Sequence, residues 1–272
     1  MCDVCVMNAV KDKMLSRRQI FAGGAALAAG AALVPSLPKP ARAEAHGGGV
    51  IDMTHTLSAD FPTYFGEPQF AAEQLFNFAD NGFNLFNLTV NEHTGTHIDA
   101  PLHFSADGTS VDELPVENLV APLCVVDITA KAEDSADAQV TPDDLMAWIS
   151  ANGEIPDGAC VAMNSGWEAK IGSDAYRGFD GSAQHYPGFH VEAVQMLLEQ
   201  TNAASIAVDT LSLDYGASAD FATHYTWLPA GRFGIENIAG LGQVPVAGAT
   251  IVIGAPKHAG GTGGPARIFA LV

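Results

Sequence analysis

Short runs of apolar and β-branched residues recur along the chain from residue 50 onward: Val50–Met53, Leu85–Asn91, Leu123–Ile128, Ala159–Met163, Ser205–Val208, Thr250–Gly254 and Arg267–Val272. Runs of this length, bounded by turn-forming residues, predict strands. Two stretches carry helical spacing instead. Thr141-Pro142-Asp143-Asp144 supplies an N-cap, a proline at the first helical position and two acids at the positive end of the helix dipole, which predicts a helix ending before Gly153. His190–Thr201 sets Val191, Val194 and Leu198 on one face. Many strands and few helices predict an α/β or α+β domain built on a largely β core with a mixed sheet. No repeat or low-complexity linker divides residues 44–272, so they read as a single domain.

Residues 1–43 follow a different pattern. Ser16-Arg17-Arg18-Gln19-Ile20-Phe21 leads into the uncharged run Phe21–Val34, then prolines, then Ala41-Arg42-Ala43. A basic region, an apolar stretch and a small-residue cleavage site in that order predict an export signal, and the paired arginines predict the twin-arginine route to the periplasm. As a helix the apolar run would reach only about 21 Å, too short to cross a bilayer. Cys2 and Cys5 precede this segment and would leave with it, while Cys124 and Cys160 lie in apolar runs, where a small buried hydrophobe is the default.

Composition narrows the partners. The chain has 272 residues, 48% of them hydrophobic, with a net charge of −19. Removal of residues 1–43 leaves six basic and 29 acidic residues, a net charge of −23. So acidic a surface repels phosphate backbones and anionic lipid, which points to a small-molecule partner, no nucleic acid and no stable membrane association after cleavage.

The candidate chemistry is concentrated in His93-Thr-Gly-Thr-His97-Ile-Asp99-Ala-Pro-Leu-His103. If an extended conformation continues from the strand before it, residues 93, 97, 99 and 103 share one side, and Gly95 leaves no side chain between the first two histidines. Pro101 opposes a continuous helix here. Two imidazoles and a carboxylate converging in this way suit a divalent metal such as Zn, Mn or Fe, and three ligands leave positions open for water and substrate. A serine nucleophile is excluded, because Asn164-Ser165-Gly166 lacks the glycine that a G-x-S-x-G elbow requires. Gly260-Gly-Thr-Gly-Gly264 lacks the following Lys-Ser/Thr of a phosphate loop and reads as an ordinary loop.

The metal segment resembles the H-x-G-T-H-x-D-x-P-x-H signature of the cyclase family, which includes bacterial kynurenine formamidases and isatin hydrolases. Ile51–His55, Asp209–Asp214, His224 through Glu236-Asn237, and Pro256-Lys257 through Arg267 resemble further blocks of that family. The resemblance implies a β-rich "swivelling" β/β/α fold, commonly dimeric. It implies a first metal on His93, His97 and Asp99, and a second on Asp99, His224 and Glu236, with Glu236 also touching the first. It makes the cofactor one or two Zn2+ or Mn2+ ions and assigns His103 to proton transfer rather than ligation. The implied reaction is hydrolysis of a C–N bond in a small cyclic or N-formyl aryl amide; a lactone hydrolase, a lyase or a non-catalytic metal-binding protein are the alternatives. The chain departs from the formamidase pattern at Pro62-Thr63-Tyr64-Phe65-Gly66, where Tyr64 stands for Trp and Phe65 for Pro. Tyr64 and Phe65 are therefore the candidate substrate-binding residues, with simple core packing of Phe61–Phe65 as the alternative. Ala169–Pro187 is open between a cap on the site and a surface loop.

Overall fold

The computed structural model describes residues 48–272, so the proposed signal segment 1–43 lies outside the described residues. Thirteen strands follow one another along the described residues. They are β1 (Val50–Asp52), β2 (Phe70–Phe76), β3 (Leu85–Val90), β4 (His97–Asp99), β5 (Val120–Asp127), β6 (Gln139–Val140), β7 (Cys160–Asn164), β8 (Gly188–Phe189), β9 (Ser205–Val208), β10 (Phe233–Glu236), β11 (Ala249–Gly254), β12 (Gly263–Pro265) and β13 (Arg267–Leu271). Between them lie α1 (Phe78–Asn81), α2 (Thr129–Asp134), α3 (Pro142–Asn152), α4 (Val191–Gln200) and α5 (Ala222–Trp227).

Nine strands form one mixed sheet in the order β1-β13-β11-β5-β7-β9-β10-β4-β12. Its centre, β5-β7-β9-β10, is parallel, and the strands to either side are antiparallel. Parallel strands need crossovers, and α3, α4 and α5 lie in the three successive connections of this centre. Side-chain alternation sends Cys124, Val126, Val161 and Met163 toward the helices, against Leu145, Trp148, Val194 and Leu197. Leu123, Val125, Cys160 and Ala162 face the other way, into a second core. Cys124 and Cys160 thus lie on opposite faces as free buried thiols, and burial raises both to about 12.

Among the described residues no α-helix contributes to the second core, only short 3-10 turns at Val111, Leu119 and Leu241. This core is closed by the sheet itself: Ile98 of β4 and Ile268 of β13, from opposite ends of the strand order, share this cluster. β12 is an edge strand and β13 is second from the opposite edge, yet only Ala266 separates them in sequence. The sheet must therefore curl until its two ends meet, and Ala266 N–H donates to the Thr96 carbonyl at the seam.

All seven runs read as strands are strands, and both predicted helices are present. Asp144 accepts the Thr141 N–H at 2.7 Å, which completes the N-terminal cap of α3. The unforeseen strands are short or atypical. β12 is Gly-Gly-Pro and survives because it pairs only along one edge. β2 forms a separate hairpin with the expected β3, with Leu75, Leu85, Phe86 and Leu88 exposed.

Candidate metal and active site

Strands β4 and β10 are antiparallel neighbours, with His97 opposite Glu236. Asp99 and His97 lie two apart on β4, so both side chains point to the same face, into the mouth of the curled sheet. His224 enters from the first turns of α5. The sequence expectation of continuous extension from 93 to 103 is corrected here: only His97–Asp99 is strand, and Pro101–Phe104 is a 3-10 turn. Gly95 also has a different purpose from the one expected. It sits at φ 67°, a left-handed conformation that favours glycine, and its carbonyl accepts from His97 Nδ1 at 2.9 Å and Asn237 Nδ2 at 3.0 Å. That bend brings His93 back, and the later turn folds His103 onto it, ring against ring at 3.7 Å.

Asp99 and Glu236 straddle the cluster. Asp99 Oδ1 lies 2.7 Å from His93 Nδ1 and 3.4 Å from His97 Nε2, whereas Oδ2 lies 3.5 Å from His224 Nε2. Glu236 Oε2 lies 3.3 Å from His97 Nε2, and Oε1 lies 3.2 Å from His224 Nε2. Each carboxylate therefore offers one oxygen to the His93–His97 side and the other to the His224 side. His224 is oriented by Asp214, whose Oδ2 lies 2.6 Å from Nδ1 and which also accepts the backbone N–H groups of Thr223 and His224. Such an outer partner fixes which nitrogen faces inward.

A cation fits this arrangement. His97 Nε2 and Asp99 Oδ2 are buried yet have no hydrogen-bond partner among the described residues. Unsatisfied buried polar atoms cost about 1–3 kcal/mol each, and ligation would satisfy both. Donor atoms of His97, Asp99 and Glu236 all fall within 4.8 Å of one another, as do those of His93, Asp99 and His103. Without an ion the cluster holds protons. Burial pulls the His97 imidazole down, but Asp99 and Glu236 outweigh it and raise it to about 10. His224 is raised as well, against its burial, by Asp214, Asp99 and Glu236. Burial opposes ionisation of Asp99, but its histidine partners hold it well below the usual carboxylate range.

These shifts give a pH prediction. Because the surrounding carboxylates raise both His97 and His224, the metal-free cluster favours protons that a cation must displace. Loading is expected to release protons at neutral pH, and apparent affinity should fall as pH falls. Titration calorimetry in buffers of different ionisation enthalpy measures the release; binding with no buffer dependence would contradict the cluster.

A cavity of about 250 Å³ opens over the cluster. Tyr64, Phe65, Phe104, Phe221 and Leu211 supply its apolar wall. The expected core packing of Phe61–Phe65 is divided: Phe61 is buried against Tyr176, whereas Tyr64 lines the cavity and Phe65, 71% exposed, stands at its rim. Residues 169–187 neither cap the cavity nor form a plain loop. Tyr176 and Tyr186 are buried with Trp167, and Gln184 Nε2 and Arg177 Nε donate to the Tyr64 carbonyl at 2.7 and 3.3 Å, so the stretch buttresses the Tyr64 lip. His55 is absent from the lining. Ser165 is buried and donates to Asp209 at 2.6 Å, which agrees with the exclusion of a serine nucleophile.

Phe221 and Phe104 carried no usable signal in sequence, and Asn237 only its place in the family-like block after Glu236. Phe221 and Asn237 reach the cavity from left-handed conformations, at φ 51° and 54°, which are uncommon for such residues and concentrate at functional sites. Phe104 approaches the His224 ring at 4.6 Å. Only its place next to His103 could have marked it.

Comparison with known proteins shows similarity to one family over most of the described chain. The family model described as "Putative cyclase" matches residues 51–215. Isatin hydrolase of Roseibium aggregatum is 30% identical over 242 residues, 82% of this chain and 91% of the relative. Kynurenine formamidase of Salinibacter ruber is 26% identical over 223 residues, 80% of this chain and 95% of the relative. Among solved structures, isatin hydrolase A from Labrenzia aggregata bound to benzyl benzoate superposes with a TM-score of 0.78 at 34% identity, covering 82% of this chain and 93% of that one.

Proposed function

The chain belongs to the cyclase family, and from that premise we propose that it hydrolyses a C–N bond in a small cyclic or N-formyl aryl amide. It is an amidohydrolase of the isatin hydrolase and kynurenine formamidase type, dependent on a metal. The observation that carries the reading is the pair of straddling carboxylates, Asp99 and Glu236, each with one oxygen toward His97 and one toward His224.

His93, His97 and Asp99 would hold one Zn2+ or Mn2+ ion, and Asp99, Glu236 and His224 a second. When bound, such an ion supplies Lewis acidity for an amide carbonyl and lowers the pKa of the attacking water. Burial lowers His103 to about 4, which keeps its imidazole neutral at physiological pH. It lines the cavity beside the cluster, placed to take a proton from water and deliver it to the leaving nitrogen. Phe104, Phe221 and Tyr64 form the apolar, aromatic part of the wall, and a one- or two-ring substrate suits the cavity's volume. Thr94 and Ser212 also line the cavity, and among the described residues their buried hydroxyls have no partner. The Tyr64 and Phe65 departures favour a cyclic aryl amide such as isatin over N-formylkynurenine.

The test is a hydrolysis screen of the protein against isatin, N-formylkynurenine and simple lactones. Isatin turnover that chelation abolishes and Zn or Mn restores is expected. Tight metal binding with no turnover on any of the three would favour a metal-binding protein instead, and faster lactone turnover a lactonase.

Export and assembly belong to the same proposal. The Arg17-Arg18 segment supports twin-arginine transport to the periplasm. The exposed Leu75, Leu85, Phe86 and Leu88 of the β2–β3 hairpin support a homodimer, since clustered exposed apolar side chains mark interaction sites. Replacement of Arg17 and Arg18 by Lys should retain the protein in the cytoplasmic fraction, and sedimentation of the purified protein should give twice the chain mass. Periplasmic recovery of that variant, or a monomer, would reject the respective claim.

A further inference from the structure

We propose that Glu92 and Thr262 are positioning residues that keep the proton of His93 on Nε2, leaving Nδ1 to a divalent cation. The inference rests on His93 being a ligand. His93 Nδ1 lies 2.7 Å from Asp99 Oδ1, inside the cluster, and its Nε2 lies 2.9 Å from Thr262 Oγ1, outside it. Thr262 donates its hydroxyl proton to Glu92 Oε2 at 2.6 Å and its backbone N–H to Glu92 Oε1 at 3.2 Å. His258 Nε2 holds the same carboxylate at 2.6 Å. A hydroxyl has one proton to give. With that proton committed to Glu92, the Thr262 oxygen can only accept from His93, so Nε2 must carry the hydrogen. The other two histidines are set in the opposite sense. His97 Nδ1 faces the Gly95 carbonyl and His224 Nδ1 faces Asp214, which leaves Nε2 inward on both.

A second observation points the same way. Thr262 sits at the centre of the glycine run 260–264, which phosphate binding does not explain. A Cβ on Gly263 would collide with the Ile98 carbonyl and come within 2.8 Å of His93 Cε1. A Cβ on Gly261 would collide with His258 Nε2 and lie 2.8 Å from Glu92 Oε1. The glycines on both sides are what let the loop carry Thr262 between His93 and Glu92. The backbone is anchored separately, since the Thr262 carbonyl accepts from Ala100 N–H and the Gly261 carbonyl from Val111 N–H, both at 2.9 Å. Side-chain substitution at Thr262 therefore leaves the loop's main-chain bonds in place.

The experiment is nitrogen-15 NMR of the Zn-loaded protein together with Zn competition against a chromophoric chelator. The spectrum is expected to show His93 with its proton on Nε2, and His97 and His224 with theirs on Nδ1. Thr262→Val and Glu92→Ala should each weaken Zn binding about 10–100-fold, the usual effect of removing an outer partner, and Thr262→Ser should restore it. Glu92 is partly exposed, so its variant tests the proposal even if Thr262→Val folds poorly. If His93→Ala keeps full affinity, His93 is no ligand and the parent reading of its role falls with this one. If His93→Ala loses metal while Thr262→Val and Glu92→Ala bind normally, or if the His93 proton sits on Nδ1, the positioning assignment alone is overturned.

Discussion

Asp99→Asn is expected to empty the metal site and reduce hydrolysis by about a thousandfold or more. The side chain is 1% exposed and faces His93, His97 and His224, and it offers an oxygen to each side of the cluster. Asparagine keeps the shape, removes the charge and turns one of the two oxygens into an N–H donor. Lewis-acid stabilisation is worth several kcal/mol, and at 1.36 kcal/mol per tenfold this amounts to about three orders of magnitude. Elemental analysis of the dialysed variant and its rate on isatin measure both effects, with near-ultraviolet circular dichroism to confirm the fold. A variant that kept its metal and stayed within about tenfold of the parent rate would remove Asp99 from the centre of the site.

His103→Ala should behave differently: metal retained, turnover down by about 10²–10⁴-fold, the range for removal of a general acid–base. The ring lies half-buried on the cavity wall, stacked on His93. Its donor atoms also approach those of His93 and Asp99 closely enough for ligation. Metal content therefore decides between two roles that both abolish activity. A variant with a full metal complement and a collapsed kcat assigns proton transfer to His103. Loss of metal in proportion to loss of rate makes it a ligand instead.

The two roles could not have been separated by spacing alone. Side-chain alternation correctly groups His97 and Asp99, because β4 is a strand there. It groups His93 and His103 with them for the wrong reason. Their places come from the left-handed bend at Gly95 and the turn after Pro101, which depend on bonds to Asn237 and Ala100. Tyr64 shows a similar limit. Its aromatic character could be read, but the Gln184 and Arg177 contacts that hold its loop come from a stretch more than a hundred residues away.

Local residue patterns specify the strand-rich α/β class, both longer helices with their boundaries, and the donor-rich segment from His93 to His103. Each is encoded locally, in alternation, capping residues or spacing. The family resemblance extended that reading to His224 and Glu236. Only the tertiary structure decided the curl of the sheet, since the closeness of β12 and β13 in sequence means nothing until their strand order is known. Only it decided that Glu236 stands opposite His97 and that Thr262 lies under His93. Those are contacts between strands and loops far apart in the chain, set by register and close backbone approach, and no local pattern of residue types specifies either.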